Sequence, residues 1–124
     1  MAREPTAKYK KKYNKDNDYY AFFGEYIINK DVFDILKKHK VRGTMHCYSG
    51  SVEMAKEFVK LGGMISLGGP VTFKNAKAPK EVAKIVPLDR LLIETDCPYL
   101  APHPNRGKRN EPSYVRLVLN EIAT

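Results

Sequence analysis

Residues 41–67 read VRGTMHCYSGSVEMAKEFVKLGGMISL, and this stretch decides the fold. Val41–His46 reads as a short strand. Ser51–Leu61 reads as a helix, because Val52, Ala55, Phe58 and Val59 recur at helical spacing and Ser51 can cap the start. Gly62-Gly63 ends it. Met64–Leu67 is a second short apolar strand, closed by Gly68-Gly69-Pro70. Strand, helix and strand at this spacing imply parallel strands joined by a right-handed crossover.

The alternation continues in both directions. Downstream, Lys77–Val86 is helical, with Pro79 tolerable only in its first turn and Pro87 as the stop. Arg90–Glu94 is the third clear strand. Asn110 or Ser113 opens a last helix with the apolar stripe Val115, Val118, Leu119 and Ile122. Upstream, Asp31–Lys40 is a helix whose last turn carries Lys37, Lys38, His39 and Lys40, charges that suit the helix dipole. Tyr26–Asn29 is a candidate fourth strand. The expected class is α/β, with three or four parallel strands alternating with helices. At 124 residues the chain is one domain, too short for a closed (β/α)8 barrel of about 250 residues. It fits a small open sheet or a partial TIM-type barrel.

Composition narrows the function classes. The chain is 43% hydrophobic and 29% charged, so disorder throughout is excluded. No apolar run approaches the length of about 20 residues that a membrane span requires. The opening residues lack a signal-peptide pattern, so the expected location is cytoplasmic. The net charge is +8, concentrated in residues 1–15, where Arg3, Lys8, Lys10, Lys11, Lys12 and Lys15 oppose Glu4 alone. Such charge suits a polyanionic partner or a hydrated solubilising tail. Residues 1–25 are read as a basic, Tyr/Lys-rich, poorly structured arm, and 26–124 as the α/β part. The arm's tyrosines can stack on unpaired bases or pack on the neighbouring domain. Cys47 and Cys97 make neither a disulfide framework nor a metal-binding C-x-x-C pair.

Parallel α/β folds place their sites at the C-terminal ends of strands. His46 ends the first clear strand and Asp96 follows the third. Imidazole and carboxylate are ordinary ligands for Zn, Mn or Mg. Either residue can equally be a structural hydrogen-bonding or turn residue, and two ligands do not complete a metal site. Arg106, Lys108 and Arg109 cluster just before a helix start, where a phosphate can bind or a basic loop can simply be solvated. The glycines at 68–69 lack the Lys and Ser/Thr of a phosphate loop.

Four segments carry a resemblance. They are Met-His-Cys-Tyr-Ser-Gly-Ser (45–51), Gly-Gly-Pro-Val-Thr-Phe-Lys (68–74), Leu-Asp-Arg-Leu-Leu-Ile-Glu-Thr-Asp-Cys-Pro-Tyr-Leu (88–100) and Arg-Gly-Lys-Arg-Asn-Glu-Pro (106–112). In this order and spacing, the chain from about Asp31 to Ala123 resembles the C-terminal part of the TatD family of metal-dependent deoxyribonucleases. These are TIM barrels of amidohydrolase-like type. The resemblance implies a half-barrel over 26–124, with His46 and Asp96 as ligands of a divalent metal (Mg, Mn or Zn). Asp96 would also orient the attacking water, and Arg106, Lys108 and Asn110 would face substrate phosphates. The implied reaction is exonucleolytic hydrolysis of DNA, or of RNA.

The chain departs from the family pattern in its first part. It has no His-x-His pair, Gly24-Glu25-Tyr26 lacks the continuation of the family's Gly-Glu-x-Gly-Leu-Asp segment, and Asn29 stands where a further His is expected. A truncated or rearranged half-barrel with impaired catalysis is therefore the expectation. A non-catalytic remnant that binds nucleic acid, or an assembly fragment, is the alternative. Exposed strand edges and apolar faces in such a half-barrel lead to an expectation of homo-oligomers.

Overall fold

The computed structural model describes residues 19–22, 26–40 and 42–124. The chain divides into two compact units, Met1–Val41 and Arg42–Thr124.

In the first unit, β1 (Tyr19–Phe22) pairs antiparallel with β2 (Tyr26–Asn29), with Phe22 opposite Tyr26 and Tyr19 opposite Asn29. Helix α1 (Lys30–His39) follows directly. Lys40 ends it with a positive φ of 51°, the left-handed conformation that commonly stops a helix. Two expectations change here. Tyr26–Asn29 is a strand, but among the described residues its partner is antiparallel β1, not the parallel sheet. Part of the segment read as an unstructured arm, Tyr19–Phe22, is itself a strand. Its cause is cross-strand pairing, which a four-residue apolar run does not announce. The rest of 1–25 lies outside the described residues. The composition shift also suggested a boundary after residue 25, whereas packing divides the chain after Val41.

The second unit is the parallel α/β structure. Its strands β3 (Thr44–Met45), β4 (Met64–Leu67) and β5 (Leu91–Ile93) lie in the order β3-β4-β5, both pairings parallel. Helix α2 (Val52–Lys60) crosses from β3 to β4, and α3 (Lys77–Ile85) crosses from β4 to β5. Helix α4 (Val115–Ala123) closes the chain. Ser51 caps α2 as expected, its hydroxyl accepting the Met54 N–H at 3.2 Å, a bond that stabilises a helix by about 1 kcal/mol. Gly62 takes φ of +85°, and the Gly62 and Gly63 amides donate to the Val59 and Phe58 carbonyls. That is the Schellman ending, and it suits glycine.

The core of this unit lies between sheet and helices: Met45, Ala55, Phe58, Ile65, Leu67, Val71, Val82 and Val118 are all buried. Each large apolar side chain there contributes about 1.5–3 kcal/mol. The strands are shorter than the sequence suggested. Val41–His46 contracts to two residues, and a 3-10 turn over Leu88–Arg90 precedes β5. The ladder nonetheless continues past the strand ends. The Tyr48 N–H donates to the Ser66 carbonyl at 2.9 Å, and the Glu94 N–H to the Leu67 carbonyl at 3.0 Å. These bonds fix the backbone on which the candidate site stands. The stripe on α4 is narrower than expected: Val118 is buried, but Leu119 is exposed. Helix α4 packs on the 69–72 turn, α3 and β5, which cover one flank of the stripe.

Candidate metal centre and basic loop

His46 and Asp96 come together. They leave the C-terminal ends of β3 and β5, on either side of β4, and His46 Nε2 lies 3.5 Å from Asp96 Oδ1. Glu94 joins them, with Oε1 2.9 Å from the same nitrogen. One donor atom from each residue lies within 4.8 Å of the others. The His46 side chain is 49% exposed, against 14% for Glu94 and 15% for Asp96. The imidazole therefore faces solvent while the carboxylates sit below it.

Each position has a local cause. Residues two apart in extended chain point the same way, so Glu94 and Asp96 share a side. Cys47 turns the backbone after His46 with a positive φ of 44°, and its N–H donates to Glu94 Oε1 at 2.9 Å. The Ser66 hydroxyl donates to Glu94 Oε2. Gly68 leaves room beside the carboxylates: a Cβ there would lie 3.2 Å from Asp96 Oδ2 and 3.4 Å from Glu94 Cγ. At Gly69 a Cβ would collide with the Leu100 carbonyl oxygen.

Burial raises the Glu94 carboxyl above the usual range, while the Ser66 hydrogen bond and His46 pull it back. Burial also pushes the Cys47 thiol up, and the neighbouring Asp96 adds to this. Among the described residues, Asp96 Oδ2 is buried with no hydrogen-bond partner. An orphaned carboxylate oxygen beside a second carboxylate and an imidazole is a nitrogen/oxygen donor set that suits Mg, Mn or Zn. The residues present fit a divalent cation.

The basic loop is built differently. Phe73 follows the 3-10 turn Gly69–Thr72, and the Arg106 guanidinium lies 4.2 Å from its ring centroid. The segment 68–73 thus runs from beside the carboxylates to the Phe73 ring under Arg106. Arg106, Lys108 and Arg109 are exposed. Asn110, expected to face substrate, is instead 2% exposed. Its Nδ2 donates to the Tyr99 carbonyl at 2.7 Å, and its Oδ1 accepts the Glu111 N–H at 2.8 Å. A side chain so placed ties the ends of the loop together, because a buried amide needs its partners.

Sequence reasoning passed over Glu94 and Ser66. The i, i+2 spacing to Asp96 was a usable signal for Glu94. A lone hydroxyl in the apolar run Met-Ile-Ser-Leu was one for Ser66.

Parallel strand ends that bring an imidazole and two carboxylates together define a candidate divalent-metal centre in an α/β protein. The family described as TatD related DNase matches residues 26–124, and the chain belongs to that family. It is 62% identical over 97 residues to the uncharacterized metal-dependent hydrolase YabD of Bacillus subtilis, covering 76% of this chain and 38% of that protein. It is 48% identical over 96 residues to the uncharacterized metal-dependent hydrolase YcfH of Escherichia coli K12, covering 75% and 36%. The crystal structure of YJJV, a TatD homologue from Escherichia coli K12, superposes with a TM-score of 0.70 at 33% identity, covering 75% of this chain and 37% of that one. The chain thus spans little more than a third of these relatives. Its parallel sheet with alternating helices corresponds to part of their barrel. Among the described residues, no helix is long and apolar enough to cross a membrane.

Proposed function

We propose that the protein is a divalent-metal-dependent hydrolase of phosphodiester bonds, releasing nucleotides from the ends of DNA or RNA. The observation that carries this reading is the convergence of His46 and Asp96 from separate strand ends, beside the orphaned Asp96 Oδ2. When bound, the cation would supply Lewis acidity and lower the pKa of water. His46 and Asp96 would hold it. Asp96 would orient the attacking water and take up its proton as the water oxygen bonds to phosphorus and the bond to the leaving oxygen breaks, that oxygen being protonated from solvent. Arg106 and Lys108 attract substrate phosphates. Arg106 is steadied by the Phe73 face. Asn110 acts one step back, holding the loop that presents them.

The family's further ligands have no counterpart in the first part of this sequence. We assign their role to a second copy of the chain. Self-association is favoured by β3 and β5, which each have one strand neighbour among the described residues, and by Leu92, 39% exposed on β5. Light scattering at micromolar concentration tests this, and a clean monomer rejects it. We place the protein in the cytoplasm.

The deciding experiment is Mn²⁺-dependent release of nucleotides from single-stranded DNA by wild type and Asp96→Ala, purified identically. Release that disappears in the variant supports the reading. Equal output from the two proteins rejects it in favour of the second reading, a metal-independent nucleic-acid binder. The +8 charge and the exposed cations of the 106–109 loop support that second reading. Its signature is binding that weakens steeply with salt and ignores chelators.

A further inference from the structure

Glu94 is held on both oxygens: Oε2 accepts the Ser66 hydroxyl, and Oε1 accepts the Cys47 N–H. Ser66 is 3% exposed on β4, the middle strand, between buried Ile65 and Leu67. A buried hydroxyl in an apolar strand needs a partner, and Glu94 provides it. Clamped in this way, Oε1 stands 2.9 Å from His46 Nε2, and Asp96 Oδ1 stands 3.5 Å from the same nitrogen. Donors at right angles around a six-coordinate ion, with bonds of about 2.1 Å, are about 3 Å apart. The two spacings bracket that value, and all three donor atoms lie within 4.8 Å of one another, close enough to share one ion. Asp96 Oδ2, buried with no hydrogen-bond partner among the described residues, leaves negative charge at the corner that a cation would offset.

We propose that Glu94 is the third donor of a one-cation site carried wholly by this chain, and that Ser66 is the positioning residue that aims it. The proposal rests on the metal-binding part of the function proposed above and is independent of DNA cleavage. Donors alone do not hold an ion well, and the partners that orient them are worth about 10–100-fold in affinity. Ser66 and the Cys47 amide are such partners, supplied by β4, the neighbour of β5, and by the turn after β3, one strand further out. This explains how a chain lacking the family's other ligands keeps an ion site.

The test is calorimetric titration of Mn²⁺ into the full chain, freed of metal, for wild type, Glu94→Gln, Ser66→Ala and the double variant. Wild type is expected to bind one Mn²⁺ per chain. Glu94→Gln keeps the shape but weakens binding at least about 10-fold, and Ser66→Ala weakens it about 10-fold. In the Glu94→Gln background, Ser66→Ala adds nothing further, because Ser66 acts through Glu94. Melting of each metal-free variant shows whether it folds. Glu94→Asp, which withdraws the charge by one methylene, is the second variant and is expected to lose affinity too. Wild-type affinity in Glu94→Gln overturns the donor role. An equal loss from Ser66→Ala in both backgrounds overturns the positioning role. No Mn²⁺ binding by wild type overturns the whole proposal. Mn²⁺ binding of the expected pattern without nucleotide release overturns the nuclease reading and leaves the site standing.

Discussion

Glu94 and Asp96 are mostly buried and Glu94 is held on both oxygens, whereas Arg106, Lys108 and Arg109 stand in solvent around a buried, uncharged Asn110. The corner keeps charge inside and fixes its position with neighbours. The loop keeps charge outside and spends its buried hydrogen bonds on backbone. The comparison separates two uses of charge. Charge that must meet an ion within a fraction of an ångström has to be clamped, and clamping means burial and repulsion that a cation relieves. Charge that attracts a flexible polyanion works through its field and can stay mobile and hydrated.

The contrast predicts different responses to substitution. Asp96→Asn keeps the size of the side chain but removes the charge. It is expected to lower metal-dependent nucleotide release by at least about 100-fold, beyond what an outer partner of a metal site costs, while DNA binding without metal stays near wild type. A nucleotide-release assay and a binding titration on one preparation check the pair. A parallel loss of both would merge the two regions into one.

Asn110→Ala removes the hydrogen bonds that Asn110 makes to the Tyr99 carbonyl and the Glu111 N–H. The expected cost is about 2 kcal/mol of folding stability, read by urea unfolding. The same substitution is expected to reduce DNA affinity only through a loosened loop, so stability falls further than binding.

Arg106→Ala is expected to weaken DNA binding about 5–10-fold at low salt and to reduce the salt slope by about one. Mn²⁺ affinity stays unchanged. A shift in Mn²⁺ affinity would show that the segment between Gly68 and Phe73 couples loop and corner.

The smallest expected effect concerns Tyr48, just past His46. Its hydroxyl donates to the Ser51 carbonyl at 2.6 Å, a bond worth about 1 kcal/mol, lost in Tyr48→Phe. Burial, and then Glu53, hold the phenol protonated well above its ordinary range. The folded state binds this proton more tightly than the unfolded chain, whose tyrosine titrates near pH 10. The contribution is therefore present below about pH 10 and lost as pH rises beyond it. Thermal melts of the two proteins from pH 8 upward should converge as the wild type loses its advantage.

Much of the second unit was legible in the sequence. The Ser51 cap and the Gly62 stop on either side of α2 are local, because capping bonds reach only a few residues. The alternation of short apolar runs with helical stretches announced a parallel sheet, and each of β3, β4 and β5 lies within the expected run. Tyr26–Asn29 was legible as a strand but not in its pairing, since a strand's partner is set by chain far away in sequence. His46 and Asp96 were legible from their strand-end positions. Asn110 was misplaced because burial of a polar side chain depends on how a loop closes, and a sequence of turn residues does not say which amide folds inward.

The sequence by itself determined the alternation of elements, the family and the two outer members of the corner, because periodicity, capping and motif spacing are properties of neighbouring residues. Only the tertiary structure decided that Glu94 belongs beside them. Its clamp comes from Ser66 on β4 and the amide of Cys47 after β3, and those donors meet it only when the three strands lie side by side. A hydrogen bond between residues far apart in the chain exists only after folding has brought them to about 3 Å.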